Sequence, residues 1–195
     1  VKRSAAPRKA ACIVAEDMIR PYVQALSEVI DLQAIAASGL RLGADPMGGA
    51  SLPFWEPIAE QYGINLTVTN KTLDPLFSFM PPDHDGKIRM DCSSPWAMAG
   101  LISLADKYDL AFANDPDADR HGIVTPSFLM QPTYSLRVAA LYLLLPRPHW
   151  TPAPSIVTTA VPSSLLDSIC APLTLYVFDL PVVLYCFVPV LICGF

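Results

Sequence analysis

The chain has 195 residues, with 52% hydrophobic and 16% charged side chains and a formal net charge of −5. That composition is too apolar for a disordered chain and too acidic for a nucleic-acid surface, so no nucleic-acid partner is expected. Five cysteines without CxxC spacing argue against a disulfide framework and a zinc site, and free thiols point to a reducing, cytoplasmic setting.

Taken in chain order, Val1 to Cys12 carries Lys2, Arg3, Arg8 and Lys9 but lacks the apolar run of a signal peptide. Met18, Val23, Leu26, Val29 and Ile30 fall near helical spacing and predict an amphipathic helix over Ala15–Ile30, with Pro21 able to move its start. A short helical turn is expected at Leu32–Ala37. Leu40–Ala44 reads as a strand running into the glycine turn Asp45–Ala50, with a helix over Ser51–Tyr62 closed by Gly63. Gly48-Gly49 has two readings, a phosphate cradle or a structural turn between strand and helix, and the second is preferred.

Ile64–Thr69 alternates and is β-branched, which predicts a strand, and residues 70–90 read as irregular. Ser93 or Ser94 with Pro95 predicts the start of a helix running over Trp96–Tyr108. Trp55 and Trp96 are expected in the core, and His84, between Asp83 and Asp85, in a solvated loop. Asp109–Ala113 predicts a buried strand, Asn114–His121 a polar loop, Gly122–Thr125 a strand and Tyr134–Leu145 a helix. A strand over Ile156–Thr159 and a helix over Ser163–Ile169 follow a proline-dense segment. Alternating strands and helices predict a layered α/β fold with helices on both faces of the sheet.

Charge is uneven. Residues 127–195 hold only Arg137, Arg147, Asp167 and Asp179 among the charged side chains, with nine of the 20 prolines. Leu180–Phe195 is uncharged, but its 16 residues are interrupted by Pro181 and Pro189. A spanning helix needs about 20 apolar residues, so membrane attachment is kept only as an alternative.

The informative stretch is Leu110–Gly122, LAFANDPDADRHG. Asp115, Asp117 and Asp119 sit at alternate positions after an apolar strand. Their mutual repulsion is offset best by a hard divalent cation, against the plainer reading of a solvated acidic turn. An EF-hand is excluded, because its glycine and glutamate positions hold Arg120 and Pro126. A dehalogenase-type nucleophile loop fits poorly, because Asp119 replaces the expected Thr or Val.

Residues 115–126, DPDADRHGIVTP, resemble the metal loop of the α-D-phosphohexomutase superfamily, D-G-D-x-D-R, and are close to its bacterial phosphoglucomutase branch. Asp45–Ala50, Lys87–Ser94, Ala97–Leu101 and Asp106–Asp115 resemble further blocks of that family, so the likeness runs from about Val14 to Trp150. The resemblance implies a phosphoserine enzyme that moves a phosphoryl group on a hexose phosphate through a glucose 1,6-bisphosphate. Asp115, Asp117 and Asp119 would hold Mg2+, Arg120 would orient phosphate, and His121 would hold the loop more than do acid–base chemistry.

The 195 residues contain neither a T-A-S-H-N-P nucleophile segment nor a G-E-E-S sugar loop. The chain is therefore expected to be a fragment that is inactive alone, with no nucleophilic serine. Its expected parts are a connecting segment at 1–37, a second domain at 38–150, which the resemblance implies is three-layer α/β/α with a mixed sheet, and the divergent start of a third at 151–195, an incomplete second α/β unit. The last part is expected to fold least stably, and the 180–188 segment matches its family counterpart weakly, with Val183 for glycine and Tyr185 for lysine. A metal- or partner-binding protein without catalysis, self-associating through uncovered faces, is the alternative.

Overall fold

The computed structural model describes residues 13–144, 155–159, 167–168, 170–172, 177–180 and 191–193. Contacts divide the chain into two units, Val1–Phe128 and Leu129–Phe195. In the second unit the helix at Pro132–Leu144 places Ala140 and Leu144 in one buried cluster with Ile156 and Cys170.

The first unit begins with α1 (Ile19–Ala25) and α2 (Leu32–Ala37). The Asp17 carboxylate accepts from the backbone N–H of Ile19 at 3.0 Å, and Pro21 lies in the first turn, where its missing N–H costs nothing. A 3-10 turn, Leu26–Glu28, ends the segment, so the helix is shorter than its apolar spacing predicts. Asp31 caps α2 by accepting from Ala34 N at 2.9 Å.

Strand β1 (Leu42–Asp45) leads through the glycine turn into α3 (Leu52–Tyr62), which Gly63 closes in the left-handed conformation. After β2 (Leu66–Val68) comes a long irregular segment, as expected. The predicted helix over Trp96–Tyr108 is not continuous. Only α4 (Ala99–Ile102) and a 3-10 turn at Ala105–Lys107 form. Two residues explain this. Gly100 weakens the helix, and the Ser103 hydroxyl donates to the Gly100 carbonyl at 2.7 Å, competing with the backbone ladder. Ser94 does not cap a helix either, because its hydroxyl donates to Asp83 at 3.1 Å. Trp96 is 46% exposed, against the expectation of a core residue.

Strands β3 (Leu110–Asn114), β4 (His121–Val124) and β5 (Leu129–Met130) complete a sheet of order β2-β1-β3-β4-β5. Strand β1 runs parallel to β2 and β3, and β3 runs antiparallel to β4, so the sheet is mixed. The two-residue β5 was not predicted, being too short for alternation to register.

Pleating assigns the two faces. Leu42, Leu66, Leu110 and Phe112 share one face with Val23, Leu32, Ile58 and Trp55 from α1, α2 and α3. Gly43, Ala111, Ala113 and Gly122 share the other. There the Tyr108 ring lies over Gly43, and Cys92 and Met98 lie over Gly122. Helical segments thus cover both faces, giving the expected α/β layering.

In the second unit, α5 (Pro132–Leu144) begins on a proline, which suits the first helical position. Strand β6 (Ser155–Thr159) lies between β7 (Val177–Leu180), parallel to it, and β8 (Leu191–Cys193), antiparallel. Leu191–Cys193 is thus strand, within the stretch that prompted the membrane alternative. Among the described residues no helix is long and apolar enough to cross a membrane. Most of the 163–169 helix and all of 181–188, with Val183 and Tyr185, lie outside the described residues.

Candidate metal centre

Strand β3 delivers its last residues to the edge of the sheet, and alternation sends Asp115 to the same side as Ala111 and Ala113. That side is closely packed, so the Asp115 side chain is completely buried. A buried carboxylate requires partners, and Arg120 supplies them from the far end of the loop. The Arg120 backbone N–H donates to Asp115 Oδ1 at 2.9 Å, and its Nε–H donates to Oδ2 at 2.6 Å. Burial pushes the Asp115 carboxyl up, but the Arg120 backbone and side chain together hold it below the usual carboxylate range.

Between these ends the chain turns tightly. The N–H of Ala118 donates to the Asp115 carbonyl at 2.9 Å, and Ala118 takes a φ of 62°. A left-handed alanine is strained, and the turn holds it so that Asp117 and Asp119 flank it. One carboxylate oxygen each from Asp115, Asp117 and Asp119 lies within 4.8 Å of the others. Asp117 and Asp119 are exposed. The hydrogen bond to Asp115, burial and the charges of Asp115 and Asp117 raise the Asp119 carboxyl above its ordinary value. Arg120 Nε also lies 3.3 Å from Asp119 Oδ1.

Hard oxygen donors converge, they resist being charged together, and one of them is fixed by an arginine. This donor set fits a magnesium-type cation. The sequence-predicted residues Asp115, Asp117, Asp119 and Arg120 are therefore brought together. His121 is exposed and lies opposite Asn114 in the β3–β4 register. By the pleat, His121 belongs to the sheet side opposite Asp115.

The glycine turn is part of this centre, which spacing alone did not disclose. Ala50 N donates to the carbonyl of Pro116, between two of the carboxylates, at 2.7 Å. A Cβ on Gly49 would fall 2.3 Å from Pro116 Cα and 2.4 Å from its carbonyl oxygen. The turn itself is fixed by Met47 N donating to Asp45 Oδ1 at 2.8 Å and by Gly49 N donating to the Pro46 carbonyl at 2.8 Å. Burial pushes the Asp45 carboxyl up, against the Met47 N–H that lowers it. These contacts favour the structural reading of Gly48-Gly49.

Below the loop, Cys92 is 2% exposed and its Sγ lies 3.9 Å from the Ala113 carbonyl. Burial and the nearby Asp115 charge push its thiol up to about 12. Asn114 is a further neighbour. Its Nδ2 donates to the Arg120 carbonyl at 3.4 Å, and its buried Oδ1 has no hydrogen-bond partner. Elsewhere His84 contacts Asp83 and lies 5.7 Å from the Trp96 ring, away from the loop's carboxylates in sequence and exposed.

Known proteins are similar to this chain over most of its length. The profile described as phosphoglucomutase/phosphomannomutase, alpha/beta/alpha domain II, matches residues 20–127. A phosphoglucomutase from Komagataeibacter xylinus is 47% identical over 167 residues, which is 85% of this chain and 30% of that protein. Among solved structures, a candidate phosphomannomutase from Thermus thermophilus superposes with a TM-score of 0.69 at 26% identity, over 86% of this chain and 37% of that one. A phosphoglucomutase/phosphomannomutase family protein from Burkholderia thailandensis shares the fold, with a TM-score of 0.65 at 20% identity over 84% of this chain and 33% of that one. The chain thus spans about a third of the length of these relatives. With its profile match, its mixed sheet and its acidic loop taken together, the chain belongs to the phosphoglucomutase/phosphomannomutase family.

Proposed function

We propose that this chain supplies the magnesium loop of a phosphoglucomutase that interconverts glucose 1-phosphate and glucose 6-phosphate through a phosphoserine and glucose 1,6-bisphosphate. The observation that carries the reading is the convergence of Asp115, Asp117 and Asp119 oxygens within 4.8 Å at the end of β3. Mg2+ held there would neutralise charge on the phosphoryl group in transit. Asp115 keeps its place through Arg120, which leaves Asp117 and Asp119 at the exposed mouth of the loop. The Arg120 guanidinium, 43% exposed, has further N–H donors with which to orient a phosphate. His121 is assigned to holding the loop rather than to proton transfer.

Within this reading, residues 38–150 form the second domain and 151–195 the start of the third. The hexose phosphate is the partner, and the free, buried thiols of Cys92 and Cys170 support a cytoplasmic setting. The nucleophilic serine is not in these 195 residues, so we expect no turnover from them alone. A second reading, association through uncovered faces, is favoured by the exposed Met18 (72%), Tyr22 (55%) and Leu76 (81%). Sedimentation of a clean monomer at high concentration would count against it.

The test is Mn2+ titration followed by electron paramagnetic resonance, with a mutase assay on the same sample. Asp117→Asn is expected to weaken Mn2+ binding by at least about tenfold. Unchanged binding would overturn the metal assignment. Turnover by the 195-residue chain that Asp117→Asn abolishes would overturn the expected inactivity.

A further inference from the structure

We infer that the turn Pro46–Ala50, and Gly49 above all, is the seat that positions the acidic loop, so that Gly49 is a positioning residue for the carboxylates on either side of Pro116. The observations are two contacts at one point. The loop backbone lies so close to Gly49 that a Cβ there would stand 2.3 Å from Pro116 Cα, 2.4 Å from its oxygen and 2.7 Å from its carbonyl carbon. The neighbouring Ala50 N–H donates to that same oxygen at 2.7 Å.

Both partners in the collision are backbone, so no side-chain rotation can relieve it. One of the two segments must move. The turn is the stiffer of the two. Met47 is 1% exposed and its N–H is held by Asp45, while Gly49 N is held by the Pro46 carbonyl. Its two sides are β1, hydrogen-bonded on both edges, and α3. The acidic loop is tied mainly by its own bonds between Asp115, Ala118 and Arg120. A side chain at position 49 therefore displaces Pro116, and with it the placement of Asp115 relative to Asp117. Groups that orient metal ligands without touching the metal typically set affinity by about 10–100-fold.

The metal arm of this inference rests on the reading of Asp115, Asp117 and Asp119 as a magnesium loop, and the positioning arm does not. The experiment separates them. Backbone amide hydrogen exchange is measured in EDTA on the full chain, wild type and Gly49→Ala, with Mn2+ titration in parallel. Gly49→Ala is expected to speed exchange at Ala118 and Arg120 by about tenfold or more, while the β3–β4 ladder amides keep their protection. A substitution that merely destabilised the fold would raise exchange throughout.

Mn2+ affinity is expected to fall by about 10–100-fold. Gly100→Ala is the control, since a Cβ there meets nothing within 4 Å, and it should change neither readout. Where Gly49→Ala does not fold, Ala50→Pro removes the N–H that reaches Pro116 and carries the same expectation. Wild-type exchange at Ala118 and Arg120 in a folded variant overturns the positioning role, whatever the metal does. Absence of Mn2+ binding by the wild type, with loop exchange accelerated in the variant, overturns the magnesium reading and upholds the seat.

Discussion

The two faces of the main sheet are built on opposite principles. One is filled by large side chains: Leu42, Leu110 and Phe112 meet Val23, Leu32, Ile58 and Trp55 from three helices, with the Trp55 and Phe112 rings 4.9 Å apart. The other carries small residues on its strands. Gly43, Ala111, Ala113 and Gly122 let Tyr108, Cys92 and Met98 approach almost to the strands. The first face supplies apolar area and tolerates some repacking. At Gly43 and Gly122 the second leaves no room for a Cβ without displacing a neighbour, and it is the side on which Asp115 is buried. Large side chains fill one face of the sheet, and close approach to small residues marks the face that holds the site.

The sharpest way to break this comparison is to empty the large-residue face. Ile58→Ala should cost about 2–5 kcal/mol in urea unfolding. Because α3 packs against the face away from Asp115, Mn2+ affinity of the folded variant should stay as in the wild type. An equal loss of affinity would show that the faces are not independent. Overfilling the small-residue face is the converse. A Cβ at Gly122 would lie 2.6 Å from the Cys92 carbonyl oxygen, so Gly122→Ala should cost about 1–3 kcal/mol and also weaken Mn2+ binding.

A chemical probe reads the same face without mutation. With its thiol pushed up to about 12 and its side chain 2% exposed, Cys92 should resist iodoacetamide at about pH 8 in the native chain and react on unfolding in urea. Mass mapping of the alkylated peptide checks this. Rapid native labelling would mean that the face opens readily.

The smallest effect lies at the sheet's other end, before β3. Arg41 donates to Asp109 from its backbone N–H at 2.8 Å and from its side chain, and these bonds lower the Asp109 carboxyl to about 2. A depressed folded value stabilises above the ordinary carboxylate range and loses that contribution as pH falls through it toward about 2. The pair is exposed, so the effect should be small. Asp109→Asn should flatten the acid limb of a pH–stability curve without altering metal affinity.

Most of the element order was legible because its signals are local. Gly63 after α3 and the apolar run into Asn114 each act within a few residues. The clustering of the acidic side chains was legible for a related reason, since three aspartates and an arginine follow one another in a single loop. What failed was what depends on distant partners or on competition. Ser103 and Gly100 shorten a helix that apolar spacing extends, and Trp96 lies 46% exposed despite its type. Ala140 and Leu144 on α5 pack with Ile156 and Cys170, which no helical periodicity could announce.

By itself, then, the sequence determined the α/β order and the identity of the acidic loop, because strand, turn and carboxylate chemistry are written in consecutive residues. Tertiary structure alone decided that Asp115 is buried while Asp117 and Asp119 face solvent, and that Arg120 spans the loop to hold it. It alone decided that the glycine turn seats Pro116. Those outcomes follow from β1 and β3 being parallel neighbours, which brings two remote loops to the same edge of the sheet, where only a residue without a side chain leaves room for both.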